Sequence, residues 1–236
     1  KILIGFIFCL SAYNYAIGQN DQFVKKTDSL LNYLHQNNRF CGSVLISKGN
    51  NILFNKTFPA NGETNVTEQY RIASITKMFT AVLVYQLIEE KKLSLTDKLY
   101  TYYPQIPNSE KITIQQMLGH QSGISDLINN DDFSTIQTKT MKKEDLIQLM
   151  VDHGSVFKPG EKTQYSNSNY ILLGYIIEDI TKISFSDNIQ SRIIKPLVLT
   201  QTYVESETEP QTRNSGYQFN GAEWINSGVE TNATVS

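Results

Sequence analysis

Cysteine is nearly absent. The 236-residue chain has two, Cys9 and Cys41, too few for a disulfide-built scaffold. Cys9 falls in a stretch that reads as a removable leader, so Cys41 is left alone and no internal disulfide is expected. Cys41 precedes Gly42 in a strand-like run with no histidine beside it. That suits a small core residue better than a nucleophile. Histidine is scarce too: His35, His120 and His153 are the only three, and none has a supporting motif for a Ser-His-Asp hydrolase. No His-Glu-x-x-His metal pair and no Gly-x-Ser-x-Gly elbow occurs. An excess of one charge is also missing. Lys plus Arg is 21 and Asp plus Glu is 23, which gives no electrostatic case for nucleic acid. Repeats and low-complexity tracts are absent.

What is there looks globular. Hydrophobic residues make up 40% and charged residues 19%, a balance that disfavours disorder. The length suits one domain, or two lobes sharing a core. The start reads as a targeting segment. Lys1 is followed by the apolar "ILIGFIFCL", then by a small-x-small end at Ala16 and Gly18. The apolar run is too short to span a bilayer. A signal peptide over 1–18 is expected, with residues 19–236 as the exported, periplasmic or secreted domain. Phe8 before Cys9 is too large for a lipoprotein cleavage site. The chain begins with Lys and stops at "ETNATVS" without a closing element, so the domain is expected to be C-terminally incomplete.

Periodicity gives the organisation. In "DQFVKKTDSLLNYLHQN", Phe23, Leu30, Leu31 and Leu34 have the spacing of one helical face. "CGSVLIS" and "NILFNKTF" flank "KGN" as a β-hairpin. "ITKMFTAVLVYQLIEEKKL" reads as a long, mostly buried helix. "TIQQMLGH" carries a capping box, Thr113 with Gln116, and Gly119 is placed to end that helix. "MKKEDLIQLMVDHG" is amphipathic and closes at Gly154. "SNYILLGYIIEDITK" is a buried helix, and "SDNIQSRIIKPL" a short one stopped at Pro196. "GYQFNGAEW" has the Asn-Gly turn of a second hairpin. Helix, hairpin, a run of helices, then strands is an α+β order, with a helical lobe inserted after the first hairpin of an antiparallel sheet.

One short stretch points to chemistry. "YRIASITKMFTA" plants Lys77 among residues of a core helix, three positions after Ser74. A buried ammonium is costly unless paired or deprotonated. Ser-x-x-Lys alone is weak, since ordinary composition yields roughly one such match in a chain this long. Ser155 and Lys158 form a second one. Lys158 precedes Pro159, which biases it away from helix, whereas side chains at i and i+3 of a helix meet. A helix N-terminus also favours negative charge at Ser74. The same spacing fits a capping Ser74 with an exposed Lys77.

A serine nucleophile needs a base. A neutral lysine or a tyrosinate could serve. "QYSNSNY" supplies Tyr165 and Asn167, the only Tyr-x-Asn in the chain. Asn167 can donate to Lys77 or to a substrate carbonyl, and accept from an amide. The alternative is a turn with Tyr165 packed and Asn167 or Ser168 capping the next helix.

These stretches, in order, resemble the serine β-lactamase and D-alanyl-D-alanine peptidase superfamily, in its class C and carboxypeptidase-like branch. They are "YRIASITKMFTA", "KKLSLTDKL", "ITIQQMLGHQSGI", "FKPGEKTQYSNSNYILLGYIIE" and "IIKPLVLTQT". The resemblance implies a β-lactamase/transpeptidase-like fold and a serine hydrolase acting through an acyl-enzyme. Substrates would be D-alanyl peptides, β-lactams or related amides and esters. Ser74 would be acylated, Lys77 and Tyr165 would share the proton transfers, and Asn167 would orient the substrate. His120 matches a position read as structural. No metal or organic cofactor is implied. A sensor that is acylated without turnover is the alternative. Ser186-Asp187-Asn188 spells a motif of the class A enzymes, but it follows Tyr165 and opens a short helix, where Ser and Asp are ordinary caps. The family's third motif, Lys-Thr-Gly or His-x-Gly on a strand, does not occur after Tyr165. It is expected beyond Ser236, with the remaining strands of the sheet and half of the oxyanion hole.

Overall fold

The computed structural model describes residues 21–60, 70–129, 141–204 and 216–228. The leader expected over 1–18 lies outside the described residues. Two compact units emerge. One contains 21–60, Tyr70 and 216–228; the other contains 71–129 and 141–204.

In the first unit, helix α1 runs over 21–36. Strands β1 (Gly42–Lys48) and β2 (Asn51–Phe58) pair antiparallel, from Gly42 opposite Phe58 to Lys48 opposite Asn51. Gly49 turns the corner at φ 58°, a left-handed conformation that costs glycine little. The inward stripe of α1 differs from the expected one. Asp28 and Asn32 accept hydrogen bonds from Lys56 Nζ at 2.8 and 3.0 Å, and the His35 ring packs on Phe58. Positions 28, 32 and 35 share one face. Of the expected stripe, Leu31 and Leu34 are half-buried, while Phe23 and Leu30 turn to solvent. Phe58, closed over by His35 and Phe40, is the most buried apolar side chain of the hairpin.

Strands β3 (Gly216–Phe219) and β4 (Trp224–Gly228) form the second hairpin. Its turn centres on Gly221 and Ala222 rather than on the Asn-Gly pair. Asn220 precedes the turn, and its side chain accepts from the backbone N–H groups of Ala222 and Glu223. Among the described residues the two hairpins remain separate two-stranded sheets.

The second unit is helical. Helix α2 (Thr76–Glu89) buries Thr80, Leu83, Val84 and Leu87, a stripe at 3.6-residue spacing that packs on α5 (Asn167–Thr181). Each fully buried leucine contributes about 1.5–3 kcal/mol. The expectation of a mostly buried α2 fails for Met78, Val82 and Tyr85, which are exposed on the opposite side. Apolar residues surround this helix, so its sequence alone cannot mark the covered face.

Helix α3 (Ile114–Leu118) carries the expected capping box. Thr113 Oγ1 accepts from Gln116 N–H, and Gln116 Oε1 accepts from Thr113 N–H. Gly119 does end it, but at an ordinary φ of −88°; the left-handed residue is His120, at φ 55°. Helix α4 (Lys143–His153) closes at Gly154 as expected. Helix α6 (Phe185–Ile189) passes into a π-helical turn over Gln190–Ile194. Its cap is Ser184, whose Oγ accepts Asp187 N–H, so Ser186 and Asp187 lie inside the helix rather than capping it.

The core of this unit joins Leu83, Leu87, Leu99, Ile112, Met117, Leu146, Met150, Leu172 and Ile176. It clamps α2 against α5. That packing fixes the start of α2 and the start of α5, which carry the candidate site.

Candidate active site

Ser74 sits in a 3-10 turn, Ala73–Ile75, that leads directly into α2. Ala73 holds φ 44° immediately before it. A non-glycine residue there costs on the order of 1–3 kcal/mol, a strain met preferentially at functional sites. The turn exposes Ser74 while Lys77, on the first turn of α2, is half-buried.

The two side chains meet. Lys77 Nζ donates to Ser74 Oγ at 3.2 Å. From the loop before α5, Tyr165 OH donates to the same Oγ at 2.8 Å. Ser74 Oγ thus accepts from two potential proton carriers. An alkoxide there would be held by both bonds, and charge-assisted bonds of that kind are the strong ones. Lys77 Nζ also lies 5.1 Å from the centre of the Tyr165 ring and 5.6 Å from that of Tyr170, a cation–π arrangement.

Asn167, the first residue of α5, completes the set of four. Its contact with Lys77 has the opposite polarity to the expected one. It accepts from Lys77 through Oδ1 at 2.7 Å, instead of donating to it. Its Nδ2 donates to both carboxylate oxygens of Asp126, at 3.2 and 3.3 Å. Neither Asn167 nor Ser168 caps α5. The cap residue is Ser166, without a side-chain cap bond, and Asp126 Oδ1 accepts the Asn167 N–H at 3.0 Å. A carboxylate from another loop therefore sits at this helix N-terminus, where the helix dipole favours it.

That loop is laced to α5. Ser168 Oγ donates to Ser125 O at 2.6 Å and accepts from Leu127 N–H, while Ser122 Oγ donates to Asn169 Oδ1. Ser122, Ser125, Asp126, Ser168 and Asn169 are all buried, so these bonds satisfy groups that water cannot reach. Sequence reading missed Asp126. The only signal was a carboxylate shortly after "GHQSG".

His120 stands behind Tyr165. Its ring centre lies 4.5 Å from that of Tyr165 and 5.2 Å from that of Tyr170. Its Nδ1 accepts from Ser166 N–H, and its carbonyl accepts from Gln164 N–H. Burial, then the Lys77 charge, push its pKa below the ordinary 6.5. It makes no hydrogen bond to Ser74, Lys77 or Tyr165 among those of the described residues, which fits a structural part.

The two look-alike motifs are elsewhere. Ser155 pairs with Ile124 in an isolated bridge and accepts from Asn108 Nδ2, not from Lys158. Asn188 is buried in α6 with its Nδ2 spent on Thr181, Ile183 and Ser184. Cys41 is half-buried, and burial pushes its thiol pKa up, away from reactivity. Among the described residues no cluster of His, Cys, Asp or Glu could hold a metal ion.

Comparison with known proteins gives the same architecture. Protein flp of Staphylococcus aureus (strain MRSA252) is 31% identical over 201 residues, which are 80% of this chain and 40% of that protein. This chain therefore spans well under half the length of that curated relative. The D-amino acid amidase from Ochrobactrum anthropi SV3 superposes with a TM-score of 0.65 at 26% identity, over 78% of this chain and 57% of that one. The octameric penicillin-binding protein homologue from Pyrococcus abyssi gives 0.67 at 26%, over 89% and 50%. The mixed helical and partial-sheet fold is thus that of the β-lactamase and penicillin-binding proteins. Residues 22–230 match the family model described as Beta-lactamase, and the chain belongs to that family.

Proposed function

We propose that this chain carries the nucleophilic site of an exported serine hydrolase that works through an acyl-enzyme. The observation that carries the reading is Ser74 Oγ within hydrogen-bond reach of both Lys77 Nζ and Tyr165 OH. Ser74 Oγ attacks a carbonyl carbon. Its proton passes to Tyr165 or Lys77, whichever is deprotonated, and on to the departing amine or alcohol as that bond breaks. Water then attacks the ester, gives a proton to the same pair, and Ser74 leaves with a proton restored.

The substrate class is an amide or ester of D-amino-acid type: D-alanyl peptides, β-lactams or D-amino acid amides. Support comes from relatives named as a D-amino acid amidase and a penicillin-binding protein homologue. Export rests on the leader-like residues 1–18. No helix among the described residues is long and apolar enough to cross a membrane.

The test is covalent labelling. The full-length protein is treated with a fluorescent penicillin and with an activated ester, and the adduct is mapped by mass spectrometry. We expect the acyl group on Ser74 and its release by water. An adduct on Ser155, or none with either donor, overturns the assignment. An adduct on Ser74 that persists instead overturns turnover and identifies the acylated sensor.

A further inference from the structure

We infer that Asp126 is a positioning residue for acylation, acting through the side-chain amide of Asn167. The inference rests on the acyl-enzyme reading for its kinetic arm only.

An asparagine amide has two ends of similar shape and opposite hydrogen-bonding character. Here each end faces a group that accepts only one of them. As an ammonium, Lys77 Nζ has donors alone, and it meets Oδ1 at 2.7 Å. The Asp126 carboxylate has acceptors alone and meets Nδ2 at 3.2 and 3.3 Å. Turning the amide over would set donor against donor and acceptor against acceptor. Asp126 thereby holds the oxygen of Asn167 toward Lys77, and that oxygen in turn holds Nζ 3.2 Å from Ser74 Oγ.

The carboxylate is itself fixed. Asp126 is 8% exposed, and its Oδ1 accepts from the backbone N–H groups of Asn167 and Ile128. It is anchored to the start of α5 and cannot follow a rotating amide. Asp126 reaches Lys77 through Asn167, its carboxylate taking the Nδ2 end of the amide and Lys77 the Oδ1 end. A carboxylate that merely stabilised the helix N-terminus would need only the backbone bond. The two side-chain bonds are what a positioning role adds.

The experiment uses the full-length protein. Acylation of Ser74 by an activated ester is followed in single turnover for the wild type, Asp126→Asn, Asn167→Ala and the double variant. Asp126→Asn should slow acylation about 10–100-fold, the scale for a misplaced catalytic group, with little change in half-saturating ester concentration. In the Asn167→Ala background the same change should alter the rate less than about twofold, because coupled residues are non-additive. Equal slowing in both backgrounds, or no slowing in either, overturns the inference. A second measurement needs neither activity nor a variant. The Asn167 side-chain amide protons of the wild type should exchange with solvent far more slowly than a free amide. Exchange at the free rate overturns the inference even if Asp126→Asn does not fold. If no donor labels Ser74, the hydrolase reading falls and the exchange measurement still decides whether Asp126 fixes Asn167.

Discussion

His120 Nδ1 accepts the backbone N–H of Ser166, 3.2 Å away, while the same ring packs against Tyr165. A protonated imidazole cannot accept that bond. Burial and the charge of Lys77 both lower the His120 pKa in the folded state below 6.5. The sign follows. Above pH 6.5 the ring is neutral folded and unfolded, and its full contribution is present. Below that, the unfolded chain binds a proton that the folded one refuses, so stability falls with pH through the lowered pKa. We expect thermal unfolding temperature to decline below pH 6.5 in the wild type. His120→Asn should flatten this decline. Asparagine tolerates the left-handed φ of 55° and offers an acceptor near the same place. His120→Ala should cost more, about 1–3 kcal/mol, by stranding the Ser166 N–H. Both variants should acylate more nearly at the wild-type rate than Tyr165→Phe.

Lys77 and Tyr165 are separable by substitution. Tyr165→Phe keeps the ring that packs on His120 and removes only the hydroxyl that reaches Ser74. Tyr165 is 46% exposed, so stability should change by less than about 0.5 kcal/mol. Acylation should slow about 10²–10⁴-fold, as for loss of an acid–base group. Lys77→Ala should slow it on the same scale, and should also destabilise, because Asn167 Oδ1 loses its partner. Stopped-flow acylation beside calorimetry separates the two effects. A wild-type rate in Tyr165→Phe would leave Lys77 as the sole base.

Gly123 is a test of the loop that carries Asp126. It holds φ 81°, and a Cβ there would lie 2.1 Å from the carbonyl oxygen of Phe157. Backbone is on both sides, so the clash cannot be relieved by a rotamer. Gly123→Ala should destabilise by at least about 1–3 kcal/mol, the range for overpacking and strained φ/ψ. The cost should extend to the site, since Gly123 O accepts the Val156 N–H that ties the two loops. Lowered melting temperature together with slower acylation is the expected outcome. A melting temperature equal to the wild type would mean the loop moves freely.

The parts legible in the sequence are those set by short-range spacing. Ser74 and Lys77 are one helical turn apart, so their meeting follows from 3.6-residue geometry. Thr113 and Gln116 form a local box for the same reason. Asp126 is different, because its partner Asn167 lies 41 residues away. Nothing local to "SGISDL" distinguishes a buried carboxylate from a loop aspartate. Which end of the Asn167 amide meets Lys77 is illegible for the same reason, since it depends on which group approaches each end. The exposed face of α2 and the outward Phe23 and Leu30 of α1 were illegible because apolar residues occupy more than one side. Composition gives the total to be buried, and packing partners choose the side.

Tyr175 offers a stability prediction remote from Ser74. Its residue is buried on α5, its hydroxyl has no hydrogen-bond partner among the described residues, and Lys143 Nζ lies 4.8 Å from its ring centre. A buried hydroxyl without a partner forfeits its hydration for nothing. Removing it as Tyr175→Phe keeps the ring and the cation–π contact. At neutral pH the variant should be as stable as the wild type or more so, by up to about 1 kcal/mol. Burial, then the charges of Glu178 and Glu144, push the phenol pKa from 10 up to about 12. A raised pKa means stability is fully present below pH 10. It is lost as pH rises from 10 toward 12, where the unfolded phenol ionises and the folded one does not. Tyr175→Phe should remove part of that alkaline loss. Tyr103, buried beside it and donating to Asp179, is shifted upward as well and should account for much of the remainder. Urea unfolding at pH 7 and at pH 11 measures both effects. A variant less stable than the wild type at pH 7 would show that the hydroxyl does have a partner, and the neutral-pH prediction would fail.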